Sequence, residues 1–174
     1  MLDDRIDEDI IAEERSVEDA THEVLAGSLR RLDSLQAVIS LAPTATVEEA
    51  VSDMIRNRVG CVLVTEGSKL LGLFSERDVL TRIVAKGLNP GEVVLKDVMT
   101  ANPESLTRDS RIVFALNKMT VGGFRHIPIV NDKGHPEAVV SMRDVVEHVV
   151  SFYANVIFNL PDSERIIPSS REGA

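Results

Sequence analysis

The sequence is poor in residue types that mark several classes of protein. Its 174 residues include one cysteine and no tryptophan, and aromatic residues make up 3%. Cys61 alone cannot form an internal disulfide, and so few aromatics leave no stacking platform for single-stranded nucleic acid. No apolar run approaches the ~20 residues of a membrane-spanning helix. These absences favour a globular protein of the reducing cytoplasm, with neither nucleic acid nor membrane as a partner.

Basic charge is also scarce, and the acidic excess lies at one end. The net charge is −9, and residues 1–23 carry −8 of it, from ten acids and two arginines. No basic stripe is available for a phosphate backbone, and the acidic start lacks the pattern of a signal peptide. We expect an acidic leader and N-terminal helix over 1–33. It is either a solvated segment or an interaction helix, since Ile10, Val17 and Val24 recur every seven residues.

Two segments of the remaining chain repeat one pattern. The aligned pairs, 66 positions apart, are Val62 with Pro128, Ser75 with Ser141, and Asp78 with Asp144. Each copy predicts strand, helix, strand, strand, helix. Copy one predicts a strand at 37–40, a helix capped by Thr46, strands at 61–65 and 70–74 joined by a hairpin, and a helix from Ser75 to Gly87. Copy two predicts a helix over 110–121, a strand at 127–130, a strand ending at Val140, and a helix after Ser141.

The strands predict how the copies pack. They are continuous apolar runs, so both faces of each sheet should be covered, and two copies packed sheet against sheet provide that cover. We therefore predict an α/β (α+β) fold of two βαββα repeats with pseudo-two-fold symmetry, plus an N-terminal helical extension. The predicted divisions are the leader 1–33, repeat 1 at 34–95, repeat 2 at 96–155 and a tail at 156–174.

Both copies carry a Ser-x-Arg-Asp turn between a strand and a helix. One interpretation is a capping box, in which serine and aspartate satisfy backbone groups at the helix start. The other is a ligand site, because free N–H groups at such a turn favour phosphate and an aspartate can accept from ribose hydroxyls. The two are compatible, since a carboxylate has several acceptor positions. Arg143 has a third possibility, a surface salt bridge with Glu147.

These motifs together resemble those of cystathionine-β-synthase-type (CBS) domains. The resemblance rests on the turn at 71–78, the segment 97–100 and the segment 123–130, and it covers about residues 34–155. It implies a tandem pair, or Bateman module, that commonly associates as a disc-like homodimer. It also implies clefts between the repeats that hold AMP, ADP, ATP or S-adenosylmethionine.

The resemblance also implies roles for single residues. Asp78 and Asp144 would hold ribose hydroxyls, one in each cleft, with Thr100 near a ribose. Adenine would lie against Ile127 and Pro128. The phosphate candidates are Arg77, Arg125, His126 and Arg143, and Ser75 and Ser141 complete the set. Because Leu35 stands roughly where copy two has Thr100, and Gly60 where it has His126, we expect unequal clefts and favour the one bearing Asp144 and Thr100.

The sequence favours a regulatory protein over an enzyme. It contains no nucleophile–base pair, glycine-rich phosphate loop or paired carboxylates, and its histidines lack metal-ligand spacing, so neither a catalytic cofactor nor a metal is expected. We predict a sensor of adenosine-containing nucleotides that acts on an unknown partner protein. The alternative is a dimerisation or scaffold protein whose repeats bind no ligand.

Overall fold

A computed structural model of the chain describes residues 22, 24–32 and 34–152. Residues 24–26 are helical and lead into a 3-10 turn at Leu29–Arg31. The rest of the predicted acidic leader with its heptad positions Ile10 and Val17, and the predicted tail at 156–174, fall outside the described residues.

Helices and strands alternate in the order that the repeat predicts. In repeat 1 they are β1 (Ser40–Leu41), α1 (Val47–Asn57), β2 (Cys61–Glu66), β3 (Lys69–Ser75) and α2 (Glu76–Asp78), which continues as a π-helix (Val79–Ile83) and a 3-10 turn (Val84–Lys86). In repeat 2 they are α3 (Leu95–Val98), β4 (Thr100–Ala101), α4 (Ile112–Gly122), β5 (His126–Val130), β6 (Pro136–Ser141) and α5 (Met142–Phe152). The predicted fold class is confirmed.

The two sheets exchange edge segments: each sheet pairs at one edge with a segment that belongs to the other repeat in sequence. The first sheet has the order β1-β2-β3-β4, so repeat 2 supplies its last strand. In the second sheet Gln36, which precedes β1, forms an antiparallel bridge to Val139 of β6. Thr100 lies opposite Leu73, and Leu73 and Val139 are equivalent positions of the two repeats. The register therefore makes Gln36 the counterpart of Thr100, one residue beyond the Leu35 indicated by the sequence.

This exchange explains why the first strand starts later than predicted. The apolar run predicts a strand at 37–40, but β1 is Ser40–Leu41, which pairs in parallel with β2. Gln36 is already bonded to the second sheet, with N–H and C=O both paired to Val139 at 3.1 Å. The chain must cross from one sheet to the other over 37–39, and these residues cannot join a regular strand.

Local signals place the helix ends as expected. The Thr46 amide donates to the Glu49 carboxylate at 2.7 Å, and the Glu49 amide donates to Thr46 Oγ1 at 3.2 Å, which completes the predicted capping box of α1. Gly87, which closes the helix that starts after Ser75, has a φ of 63°, a left-handed value that glycine adopts at low cost.

Three buried clusters hold the fold together. One lies between α1, β2, β3 and the π-helix of repeat 1 and α3, the first helix of repeat 2. The second lies within repeat 2 and includes Leu29 and Leu32 from the segment that precedes repeat 1. The third joins the two sheets through Cys61, Leu63 and Leu73 of one and Val139 of the other, which confirms the predicted sheet-against-sheet packing. No helix among the described residues is long and apolar enough to cross a membrane.

Candidate functional site

Two clefts lie beside the Ser-x-Arg-Asp turns. The repeat 2 cleft, named for its turn at Ser141 and Arg143, has a volume of about 760 Å³; its other polar borders are Gln36, Arg58, Glu76 and His126. The repeat 1 cleft, about 450 Å³, is bordered by the turn residues Ser75, Arg77 and Asp78 and by Arg82, Thr100, Asn102, Glu104 and His126. Both volumes lie in the range of small-molecule sites.

Asp144 caps helix α5 with one carboxylate oxygen. It is 3% exposed, and its Oδ2 accepts from the Ser141 amide at 2.6 Å, while its own amide donates to Ser141 Oγ at 3.3 Å. The capping-box interpretation is therefore correct for this turn. Within the described chain, no group donates to the second oxygen, Oδ1. Since no fully enclosed side-chain oxygen there lacks a partner, Oδ1 keeps some contact with solvent, although the residues that border the repeat 2 cleft include Ser141 and Arg143 and not Asp144 itself.

Arg143 forms an ion pair with Glu147. Its Nε donates to Glu147 Oε1 at 2.6 Å, so the predicted i,i+4 salt bridge is present. The hydrogen bond to Glu147 and its negative charge raise the pKa of Arg143, which stays protonated. The side chain is 78% exposed, so the ion pair is weak, and Arg143 borders the repeat 2 cleft.

The equivalent aspartate of repeat 1 is fully engaged. Oδ2 of Asp78 accepts from Ser75 N at 2.9 Å and from Ser75 Oγ at 2.7 Å. Oδ1 forms a 3.0 Å ion pair with Nε of Arg82, one turn further along the helix. Arg82 also donates to Thr100 Oγ1 at 2.9 Å and to the Val98 carbonyl at 2.5 Å. Protein groups therefore use both oxygens of Asp78.

The predicted pairing of Thr100 with Asp144 is wrong. Thr100 borders the repeat 1 cleft, where Arg82 connects it to Asp78. The physical reason is the exchange of sheet edges: β4 pairs with β3, and β3 ends at Ser75 beside Asp78. In the repeat 2 cleft the corresponding position is held by Gln36, whose amide nitrogen lies 3.4 Å from Ser141 Oγ.

His126 borders both clefts. It is partly buried at the start of β5, and burial lowers its pKa below the ordinary 6.5; Glu76 and Asp144 act in the opposite direction, and Arg125 adds to the lowering. Its counterpart in repeat 1 is Gly60, and a Cβ at that position would lie 2.8 Å from Nε2 of His126. The two equivalent positions therefore face each other, and the space between them holds one imidazole but not two side chains of that size.

The other predicted residues lie at varying distances from the clefts. Arg77 borders the repeat 1 cleft and donates to the Gly123 carbonyl at 2.6 Å. Arg125 is exposed, and its carbonyl accepts from the Met142 amide. Ile127 and Pro128 are buried inside β5 and are not among the residues that border either cleft.

Sequence reasoning missed several residues that border these clefts. Gln36 and Glu76 border the repeat 2 cleft, and Arg82 crosses the repeat 1 cleft. Gly60 makes room for His126. Two signals were available: the i,i+4 spacing of Asp78 and Arg82, and the alignment at an offset of 66 positions, in which Gly60 faces His126 and Arg82 faces His148. Within the described residues, no group of three or more His, Cys, Asp or Glu side chains is placed to hold a metal ion.

Comparisons with known proteins agree on one family. The CBS domain model matches residues 33–85 and 95–151. The Arabidopsis thaliana protein CBSCBSPB1 is 38% identical over 114 residues, which cover 66% of this chain and 21% of the relative. The match thus spans about a fifth of that relative's length.

Two solved structures share the fold. A CBS domain protein from Pyrobaculum aerophilum complexed with AMP is 25% identical, with a TM-score of 0.64, over 74% of this chain and 99% of that one. The CBS domain pair of protein MJ0100, in complex with 5′-methylthioadenosine and S-adenosyl-L-methionine, is 16% identical, with a TM-score of 0.63, over 70% and 98%.

Proposed function

Because this chain belongs to the CBS domain family, we propose that it is a regulatory module that binds an adenosine-containing nucleotide between its repeats. The Pyrobaculum relative, which covers most of the described chain, is complexed with AMP. AMP, ADP and ATP are the ligands of first choice, and S-adenosylmethionine is the next. The module has no catalytic role in this proposal and acts by changing its fit to a partner.

The carboxylate of Asp144 is the observation that carries the proposal. Asp144 is 3% exposed as a residue, and a carboxylate in such a place is costly unless hydrogen bonds surround it, yet the described chain donates to it only from the Ser141 amide. A ribose diol would donate to the second oxygen, Oδ1. The helix cap holds the carboxylate in place before a ligand arrives, so little ordering is needed on binding.

The surroundings of Asp144 suit the rest of a nucleotide. The N-terminus of the 11-residue helix α5 directs a positive dipole toward the turn, and Arg58, Arg143 and His126 border the adjacent repeat 2 cleft together with Ser141. Val51, Met54, Val59 and Val79 add apolar walls on which a base can lie. Glu76, also at the border, disfavours the more highly charged ligands, and AMP is therefore the best probe.

The proposal includes a homodimer, in line with the family resemblance. Large apolar side chains are exposed on the helices of both repeats: Ile55, Leu80, Val84, Val113, Phe114, Val121, Val146 and Val150. Ile55 and Leu80 border the repeat 2 cleft, so a ligand there would contact the same surface that a second module covers. Binding could then alter the dimer through its different affinity for two arrangements. The buried free thiol of Cys61 suits the reducing cytoplasm that we propose as the compartment.

A thermal-shift screen of ligand-free protein tests the proposal directly. The panel is AMP, ADP, ATP, S-adenosylmethionine, NAD and a GTP control. A ligand at 100 times its dissociation constant adds about 2.7 kcal/mol to the free energy of unfolding, which raises Tm by several degrees. We expect stabilisation by adenosine compounds only. A flat response across the panel would favour the second candidate, a ligand-free dimerisation scaffold, for which the fully engaged carboxylate of Asp78 is the supporting observation.

A further inference from the structure

Arg82 fills the place in the repeat 1 cleft where the resemblance would put a ribose. Its guanidinium contacts Asp78 Oδ1 and Thr100 Oγ1, the two groups predicted to lie near the ribose hydroxyls. A third contact, a hydrogen bond from the guanidinium to the Val98 carbonyl at the end of α3, also holds the Arg82 side chain in place. The side chain is 34% exposed, so it is held within the cleft wall rather than extended into solvent.

The second repeat has no such side chain. The position equivalent to Arg82 is His148, and the position equivalent to Thr100 is Gln36. Among the described residues, Asp144 takes part in no ion pair and accepts one hydrogen bond. The two aspartates share the same helix position and the same bond from the serine amide, so the i+4 residue is the difference that decides whether Oδ1 is free.

We infer that Arg82 closes the repeat 1 cleft to nucleotides, so that each chain binds one nucleotide, in the repeat 2 cleft. The inference rests on the proposed function. Ribose hydroxyls are neutral donors, and they would have to displace a charged donor from Asp78 and leave the guanidinium without its carboxylate. An intramolecular group is also present at a high effective concentration. Arg82 is thus the residue that sets the stoichiometry.

Isothermal titration with AMP tests this inference. The proteins are the wild type, Arg82→Met, the double variant Arg82→Met/Asp78→Ala, and Arg56→Met as a control that removes the same charge from an exposed i,i+3 pair with Asp53. We expect one AMP per chain for the wild type and the control, two for Arg82→Met, and one again for the double variant. Arg82→His, which copies repeat 2, is the second variant if loss of the Val98 contact unfolds the first.

Each outcome separates the inference from the proposed function. One site in both the wild type and the folded Arg82 variants would overturn the inference and leave the function intact. A wild type with two sites, or an Arg82→Met protein with weaker binding, would make Arg82 a ligand contact and also overturn it. No site in the wild type but one Asp78-dependent site in Arg82→Met would support the closure of the repeat 1 cleft by Arg82 and would contradict the nucleotide site proposed in the repeat 2 cleft. Absence of binding in every protein would contradict both.

Discussion

Gly60 and His126 share one space at the centre of the module. They are equivalent positions of the two repeats, and a Cβ on Gly60 would lie 2.8 Å from Nε2 and 3.0 Å from Cε1 of His126. Gly60 does not have a positive φ, so its lack of a side chain serves the close approach and not the backbone. The pair contributes to the asymmetry of the two clefts, because His126 borders both of them whereas Gly60 borders the repeat 2 cleft alone.

Gly60→Ala is therefore expected to destabilise the protein through His126. Overpacking destabilises the folded protein by about 1–3 kcal/mol. Alanine also lowers the conformational entropy of the unfolded chain, which stabilises the fold by about 0.4–1 kcal/mol. We therefore expect the free energy of unfolding to fall by about 1 kcal/mol. In a His126→Ala background the same change should be neutral or stabilising. Urea denaturation of the four proteins measures the coupling. Equal losses in both backgrounds would show that the contact has no energetic role.

Most of the fold could be predicted from the sequence because its signals are local. The capping box at Thr46, the left-handed stop at Gly87 and the apolar runs of β2 and β5 act within a few residues. The exchange of sheet edges is not local. Nothing near Gln36 indicates that it pairs with Val139, and so the crossing over 37–39 was mistaken for a strand.

The candidate site was predictable only in part, for the same reason. The Ser-x-Arg-Asp turns identify both aspartates, and the aligned differences at Gly60 and His126 predict unequal clefts. Which groups surround each aspartate depends on the strand that crosses to the other repeat. Thr100 was consequently assigned to the wrong cleft. The contact of Arg82 with Asp78 is a local i,i+4 pair, and sequence reasoning overlooked it.

Asp144→Ala should abolish AMP binding beyond its effect on stability. The change removes the acceptor for Ser141 N, and loss of a helix cap costs about 0.5–2 kcal/mol. Glu49→Ala is the matched control, because Glu49 occupies the same capping position in α1 and borders neither cleft. Titration of folded protein should show loss of AMP affinity only for Asp144→Ala. Equal affinity of the two variants would leave Asp144 with a capping role alone.

Leu29→Ala should destabilise the protein as a core substitution does, although Leu29 precedes repeat 1. Its side chain is fully buried among Ile112, Ile127 and other residues of repeat 2. Such truncations cost about 2–5 kcal/mol. Leu88→Ala, at a position that is 41% exposed, removes the same atoms and should cost much less. Chemical denaturation gives both values; a small loss for Leu29→Ala would mean that this segment does not belong to the core.

The lowered pKa of His126 predicts that acid destabilises the folded protein through this residue. Burial lowers its folded pKa below the 6.5 of the unfolded chain, so between these two values the unfolded state binds more protons and the free energy of unfolding falls as the pH falls. Glu76 and Asp144 oppose this effect, and Arg125 reinforces it. Denaturation at pH 7.5 and pH 5.5 should show a smaller difference for His126→Gln than for the wild type. His148→Gln, which changes a histidine that borders neither cleft, serves as the control. The same difference in all three proteins would assign the acid sensitivity to other groups.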